Sequence, residues 1–183
     1  LDAYIAEGQA QGLHQNYKCR TRKPWYSVRR QLPPPDLLLG YLVKRRPRLA
    51  DNPGGVHTTN NLHRIYLKKP WVGSSALLAA ASLNAATMLT VELLGRIGAA
   101  GVLKIEPGDA SKIRLVPPEA LGAVRGAAES VTAIDRALRE GRDDDAFAIA
   151  DDLASRALRW NPREMSKLRR AQVALRDARL KPA

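Results

Sequence analysis

Apolar positions along this chain follow several rhythms, and each predicts a different element. Residues 36–43, DLLLGYLV, form a dense apolar run of strand length, which predicts one buried strand. Residues 56–67, VHTTNNLHRIYL, begin polar and end apolar, after a turn composed of Asn52, Pro53, Gly54 and Gly55. Over residues 74–95, Leu77, Leu78, Leu83, Met88, Leu89, Val91, Leu93 and Leu94 nearly encircle a helix that Ser74 or Ser75 can cap. This predicts a single central buried helix. Within it Glu92 and Arg96 stand four apart, the spacing of a helix-surface ion pair. Short strands are expected at residues 102–105 and 113–116, ended by Pro107 and Pro117.

Past that point the rhythm is helical. Pro118 suits the first turn of a helix reaching about Arg139, with Val124, Val131 and Leu138 recurring at seven. The three acids from Asp143 open a second helix carrying Phe147, Ala150, Leu153, Ala154 and Leu158. Asn161, Pro162 and Glu164 open a third, with Met165, Leu168, Ala171 and Leu175 in one stripe. At the other end, residues 1–11 have helical character with stops near Gly8 and Gly12, and residues 17–28 read as extended chain. Pro33, Pro34 and Pro35 make a rigid connection. The class expected is α+β: a small mixed-sheet domain with a central buried helix over residues 1–117, then a helical bundle over 118–183.

Charge changes this picture from a scaffold to a candidate binder. The 183 residues carry a net charge of +12, concentrated in residues 1–72, where 13 Lys and Arg face 4 Asp and Glu. Residues 118–183 hold 13 against 11, the composition of a solvated helical face. The stretch YKCRTRKPWYSVRR, residues 17–30, contains Lys18, Arg20, Arg22, Lys23, Arg29 and Arg30 without an acid, interleaved with Tyr17, Trp25 and Tyr26. Cations hold phosphates, and aromatic rings between them stack on bases or wedge against sugars. A second acid-free cluster, Lys44, Arg45, Arg46 and Arg48, follows the apolar run. Beyond it Thr59, Asn60, Asn61, His63 and Arg64 offer groups suited to base edges or phosphates, although Asn and Thr clusters equally serve as ordinary turns.

Other chemistry lacks the residues it needs. The single cysteine, Cys19, permits no internal disulfide, which suits a reducing compartment and a cytoplasmic protein. His14, His57 and His63 show no spacing that marks a nucleophile's base or a metal site, and the Gly98–Gly101 stretch precedes a strand and has no Lys-Ser/Thr after it. No apolar run is long enough for a membrane span, so no membrane partner is expected. The first residue is Leu1 and not Met, which suggests a piece of a longer chain.

The order of segments carries a resemblance. YKCRTRKPWY, PDLLLGYL, an Asn-Pro-Gly-Gly turn, HTTNNLHRIYL, a helix ending ELLGR, GVLKIEP and a terminal LVPP follow one another from Tyr17 to Pro118. This succession resembles the C-terminal, target-recognition region of gamma-class adenine-specific DNA methyltransferases of bacterial restriction-modification systems. Ala99 and Ala100 stand where that family often has glycines, and Arg29 and Arg30 where it tends to carry Pro. The resemblance implies double-stranded DNA as partner, with a methyltransferase domain upstream of this chain as the other. The family's Asn/Asp/Ser-Pro-Pro-aromatic motif and its cofactor-binding glycine loop are missing here. S-adenosylmethionine is therefore expected in the parent enzyme, and no cofactor or methyl transfer in this fragment. The DNA-binding residues implied are the two basic clusters with Trp25 and Tyr26, and Thr59, Asn60, Asn61, His63 and Arg64. A stand-alone specificity or RNA-binding module, or a structural interaction domain with an incidental basic face, are the alternatives.

Overall fold

The computed structural model describes residues 1–27, 32–58, 60–68 and 74–181. The chain forms two compact units, Leu1–Pro33 and Pro34–Ala183.

In the first unit α1 (Asp2–Ala10) is followed by a left-handed Gly12 (φ +76°), which ends the helix because only glycine enters that conformation without strain. A 3-10 turn (Leu13–Gln15) and a single helical turn, α2 (Tyr17–Arg20), come next. The extended chain expected over residues 17–28 is corrected here as far as Ser27, Val28 lying outside the described residues. The amides of Cys19 and Arg20 bond to the Asn16 carbonyl at 2.8 and 3.0 Å, and that of Arg22 to Cys19 at 3.0 Å. These local bonds satisfy the backbone without a partner strand. Trp25 packs where Gly8 has no side chain, since a methyl there would meet its Cη2 at 3.1 Å. His14 and Tyr26 stand edge-on to the same indole, with centroids 6.2 and 5.7 Å away.

The second unit begins with β1 (Leu37–Gly40) and β2 (Leu42–Val43), followed by β3 (Leu49–Asp51) and β4 (Leu62–Ile65). The helices α3 (Ser75–Ala81) and α4 (Ala85–Leu94) lead to β5 (Arg96–Ile97), β6 (Leu103–Lys104) and α5 (Pro107–Ala110). Four helices complete it: α6 (Pro118–Gly122), α7 (Ala127–Arg139), α8 (Asp143–Leu158) and α9 (Pro162–Leu180). The class is α+β. Two three-stranded sheets, ordered β3-β1-β4 and β2-β6-β5, are antiparallel in every pairing among the described residues, not mixed as expected. The apolar run 36–43 is thus two strands in two sheets. The chain changes sheet at Tyr41, whose amide bonds to Asn61 O (3.1 Å) and whose carbonyl accepts from Ile105 N (2.9 Å).

The single helix expected over 74–95 is also corrected: α3 and α4 meet at a 76° bend. The polar residues inside the apolar run cause it. Ser82 Oγ bonds back to Ala79 O (2.6 Å), and Asn84 caps α4 by accepting from Thr87 N (3.0 Å) while donating to Ala81 O (2.6 Å). The backbone groups freed at the break are satisfied by an ion pair from later helices. Asp151 accepts from Ala85 N (2.6 Å), and Arg169 donates to Leu83 O (2.9 Å) and grips Asp151 at 2.8 and 3.0 Å. Residues 113–116 form no strand, and the helix expected from Pro118 to Arg139 is α6 and α7, separated by left-handed Gly126 (φ +78°).

Leu37, Leu77, Leu78, Leu121, Leu153 and Met165 form one continuous apolar core, so the strands and the carboxy-terminal helices are buried against each other. A second cluster joins Leu83 and Met88 to Ile134 and Phe147, and a third places Val43, Val91, Leu103 and Ile105 together around the second sheet. Residues 118–181 lie within the same compact unit as the strands, which divides from the rest after Pro33.

Candidate nucleic-acid interface

Three basic groups were expected to face a polyanion, and the structure treats them differently. In the first unit Lys18, Arg20 and Lys23 are exposed and Arg22 is half-buried. None of the four carries an ion pair among the described residues. Tyr17 and Tyr26 are exposed beside them, whereas Trp25 is half-buried as the centre of the unit's packing. Trp25 therefore orients the basic turn, and the two tyrosines are the accessible rings. Arg29, Arg30 and Thr59 lie outside the described residues.

The second group, Lys44–Arg48, is divided. Lys44 and Arg45 are exposed and free of ion pairs among the described residues. Arg46 is ion-paired with Asp143 and reaches Asp144 (3.4 Å), while Arg48 pairs with Asp143 (2.9 Å). Arg46 also lies over the Phe147 ring, 4.6 Å from its centroid, and Arg169 lies 5.0 Å from the same centroid. The acids at the start of α8 thus pair with two of the four cations and fix the loop that presents the other two.

The third group sits on β4 and the chain around it. Register pairs Leu37 with Ile65 and Leu39 with His63, so His63 and Ile65 share the inward face of the first sheet with those leucines. Arg64, opposite Leu38, takes the outer face. The alternation continues beyond the strand, giving an exposed stripe of Leu62, Arg64, Tyr66 and Lys68. Asn60 and Asn61 are exposed in the turn before it. His63 is engaged internally: its Nε2 lies 2.7 Å from Ile105 O, and its ring meets Tyr41 at 5.5 Å.

Tyr41 anchors a small polar latch between the sheets. Its hydroxyl donates to Glu106 Oε2 (3.1 Å), and Lys104 Nζ bonds to Glu106 Oε1 (2.7 Å) and lies 5.4 Å from the Tyr41 ring centroid. The hydrogen bond from Lys104 holds the Glu106 carboxyl below its ordinary range, and the bonds to Glu106 and Tyr41 raise Lys104. Deeper in the unit, Arg179 forms a buried pair with Glu92 at 2.7 and 3.0 Å, and also donates to Lys44 O (2.5 Å) and Gly101 O (2.6 Å). Glu92 therefore does not pair with Arg96, as the four-residue spacing suggested. Arg96 reaches Asp109 instead, at 4.0 Å. Gly101 is left-handed (φ +70°), and a methyl there would collide with the Arg179 carbonyl, so the end of α9 is seated directly on this turn.

Residues 1–154 match the family described as the type II methyltransferase M.Eco57I, C-terminal domain. The chain belongs to that family. The type II methyltransferase M.XamI of Xanthomonas campestris pv. amaranthicola is 26% identical over 126 residues, covering 67% of this chain and 23% of that relative. The chain thus spans less than a quarter of the relative's length. No solved structure matches it.

Among the described residues the strands are two to four residues long and paired antiparallel, so they form no crevice at the carboxyl ends of parallel strands. Among the described residues no group of His, Cys, Asp and Glu could hold a metal ion, and no single helix is long and apolar enough to cross a membrane.

Sequence reasoning missed the ion pairs that fix the scaffold: Arg179 with Glu92, Arg169 with Asp151, and Asp143 with Arg46 and Arg48. Their partners are separated by 18 to 98 residues, and no local spacing marks them. The available signal was three successive acids at a helix start, more than a dipole alone requires.

Proposed function

We propose that this chain recognises double-stranded DNA for a type II, adenine-specific DNA methyltransferase of a restriction-modification system. In this reading S-adenosylmethionine and methyl transfer belong to a catalytic region outside it. The observation that carries the proposal is the basic turn of residues 18–26, whose cations have no acidic partner among the described residues and stand beside two accessible tyrosines. Membership of the family supports it, as does the exposed stripe of Arg64 on the first sheet and Lys68 beyond its last strand. Lys18, Arg20, Arg22, Lys23, Lys44 and Arg45 anchor phosphates. Asn60, Asn61 and Arg64, next to Thr59, reach base edges. Arg46, Arg48 and His63 act from behind by holding the contacting segments in place.

The test is a salt titration of duplex binding. The chain should bind a short DNA duplex at low salt with an affinity that falls steeply on a log–log plot. Each phosphate contact contributes about 0.9 to the slope. Changing Arg20, Arg22 and Lys23 together to Gln should flatten it by about 2.7. A slope unchanged by that triple substitution would remove this turn from the interface.

A further inference from the structure

We infer that the corner between α8 and α9 and the exposed face of α9 form a second DNA phosphate-contacting surface, centred on Arg159, Arg163 and Arg170. This rests on the duplex-binding reading above and extends it to a surface that reading does not use. The corner also lies beyond residue 154, where the family match ends.

The inference begins from charge pairing. By composition residues 118–183 are nearly neutral. The structure pairs their acids one by one. Asp135 takes Arg139, Glu140 and Asp145 share Arg142, Asp152 takes Arg156, Asp151 takes Arg169, Glu164 takes Lys167 and Asp177 takes Arg176. Asp143 and Asp144 are matched by Arg46 and Arg48, cations brought in from the distant basic loop. Of these helices' acids, Glu119 and Glu129 are the ones without a cationic partner among the described residues, whereas Arg125, Arg136, Arg159, Arg163, Arg170 and Lys181 have no acidic one.

Four of those six cations lie past the end of α8. Arg163, Lys167 and Arg170 stand at i, i+4 and i+7 on one exposed face of α9, about 10 Å from first to last, and Lys181 follows the helix. Arg159 occupies the corner in left-handed conformation (φ +54°), beside Trp160, which is 43% exposed. The acids on α9, Glu164 and Asp177, are already matched at 2.9 and 2.8 Å. The result is a row of free guanidiniums with an accessible indole at one end. Its complement is a row of phosphates, with the ring against a sugar.

The experiment compares three forms of the full chain on a 20-base-pair DNA duplex of arbitrary sequence, with affinity followed across salt concentrations: the unaltered chain, the triple Gln variant at Arg20, Arg22 and Lys23, and a triple Gln variant at Arg159, Arg163 and Arg170. The α9 variant should flatten the slope by about 2.7, and a triple Lys variant at the same three positions should restore it. Circular dichroism should show unchanged helix content, because all three side chains are exposed. If the α9 variant keeps the full slope while the amino-terminal variant loses it, the second surface is overturned and the first reading stands. If the α9 variant flattens the slope and the amino-terminal variant does not, the second surface stands and the basic turn is displaced. An unaltered chain without salt-dependent binding overturns both.

Discussion

Residues 18–30 and residues 44–48 look alike in sequence: acid-free runs of lysine and arginine beside apolar chain. In the structure they differ. The cations of the first run that are described keep their charges free, whereas Arg46 and Arg48 of the second are drawn to Asp143 and Asp144, 95 to 98 residues away. A basic run in one dimension states how much positive charge is present, not how much remains after folding. The converse holds over residues 118–183, where a nearly balanced composition leaves Arg159, Arg163 and Arg170 unmatched among the described residues, because Asp143 and Asp144 are taken by Arg46 and Arg48.

The contrast between matched and free cations can be broken most forcefully from the buried side. Arg179→Met strands the Glu92 carboxylate in an interior where both side chains are at most 2% exposed, and should lower unfolding free energy by about 3–5 kcal/mol in urea denaturation. A loss below about 1 kcal/mol would show that water reaches the site and that the pair is not the lock described. The next effect is the flattening by about 2.7 expected when Arg20, Arg22 and Lys23 become Gln, with stability unchanged within about 0.5 kcal/mol.

Releasing matched cations sharpens the comparison from the other direction. Asp143→Asn together with Asp144→Asn should free Arg46 and Arg48 for phosphates, steepening the salt slope by up to about 1.8. These pairs are partly exposed, so the stability loss should stay near 1 kcal/mol or less. A slope that instead becomes shallower would mean that the acids position the loop more than they mask it.

The smallest effect belongs to the Lys104–Glu106 latch. The folded carboxyl titrates below its unfolded range, so its contribution is present above the ordinary Glu pKa and fades as pH falls through the lowered value. Lys104 is raised, so its share is complete below the ordinary Lys pKa and is lost only as pH climbs through the higher one. Glu106→Gln should erase a shallow acid-side dependence of stability, measured by denaturation between pH 3 and pH 6, and leave the neutral plateau nearly unchanged.

The elements themselves were largely legible, because period and caps are local. Asn161 does cap α9 by accepting from Arg163 N (2.9 Å), and Asp143 does open α8. What escaped were decisions taken between distant segments. Asn84 reads locally as a polar interruption, yet the bend it makes is completed by Asp151 and Arg169. Tyr41 reads as one more residue of a buried strand until Asn61 and Ile105 claim its backbone for two different sheets. Trp25 reads as a ring for stacking on bases, and the absence of a side chain at Gly8 draws it inward. Of the site, the charge of residues 18–26 was evident in the sequence. The pairing of Arg46 and Arg48 was not, because its partners lie on a helix nearly a hundred residues later.

The seat of Arg179 makes the last turn of α9 a keystone. That one guanidinium joins an acid on α4, a carbonyl of the basic loop and the turn at Gly101. A chain shortened after Ala178 would therefore lose more than a frayed tail. It would keep a negative charge sealed inside with no counterpart, and the loop bearing Lys44 and Arg45 would lose its tether to the interior.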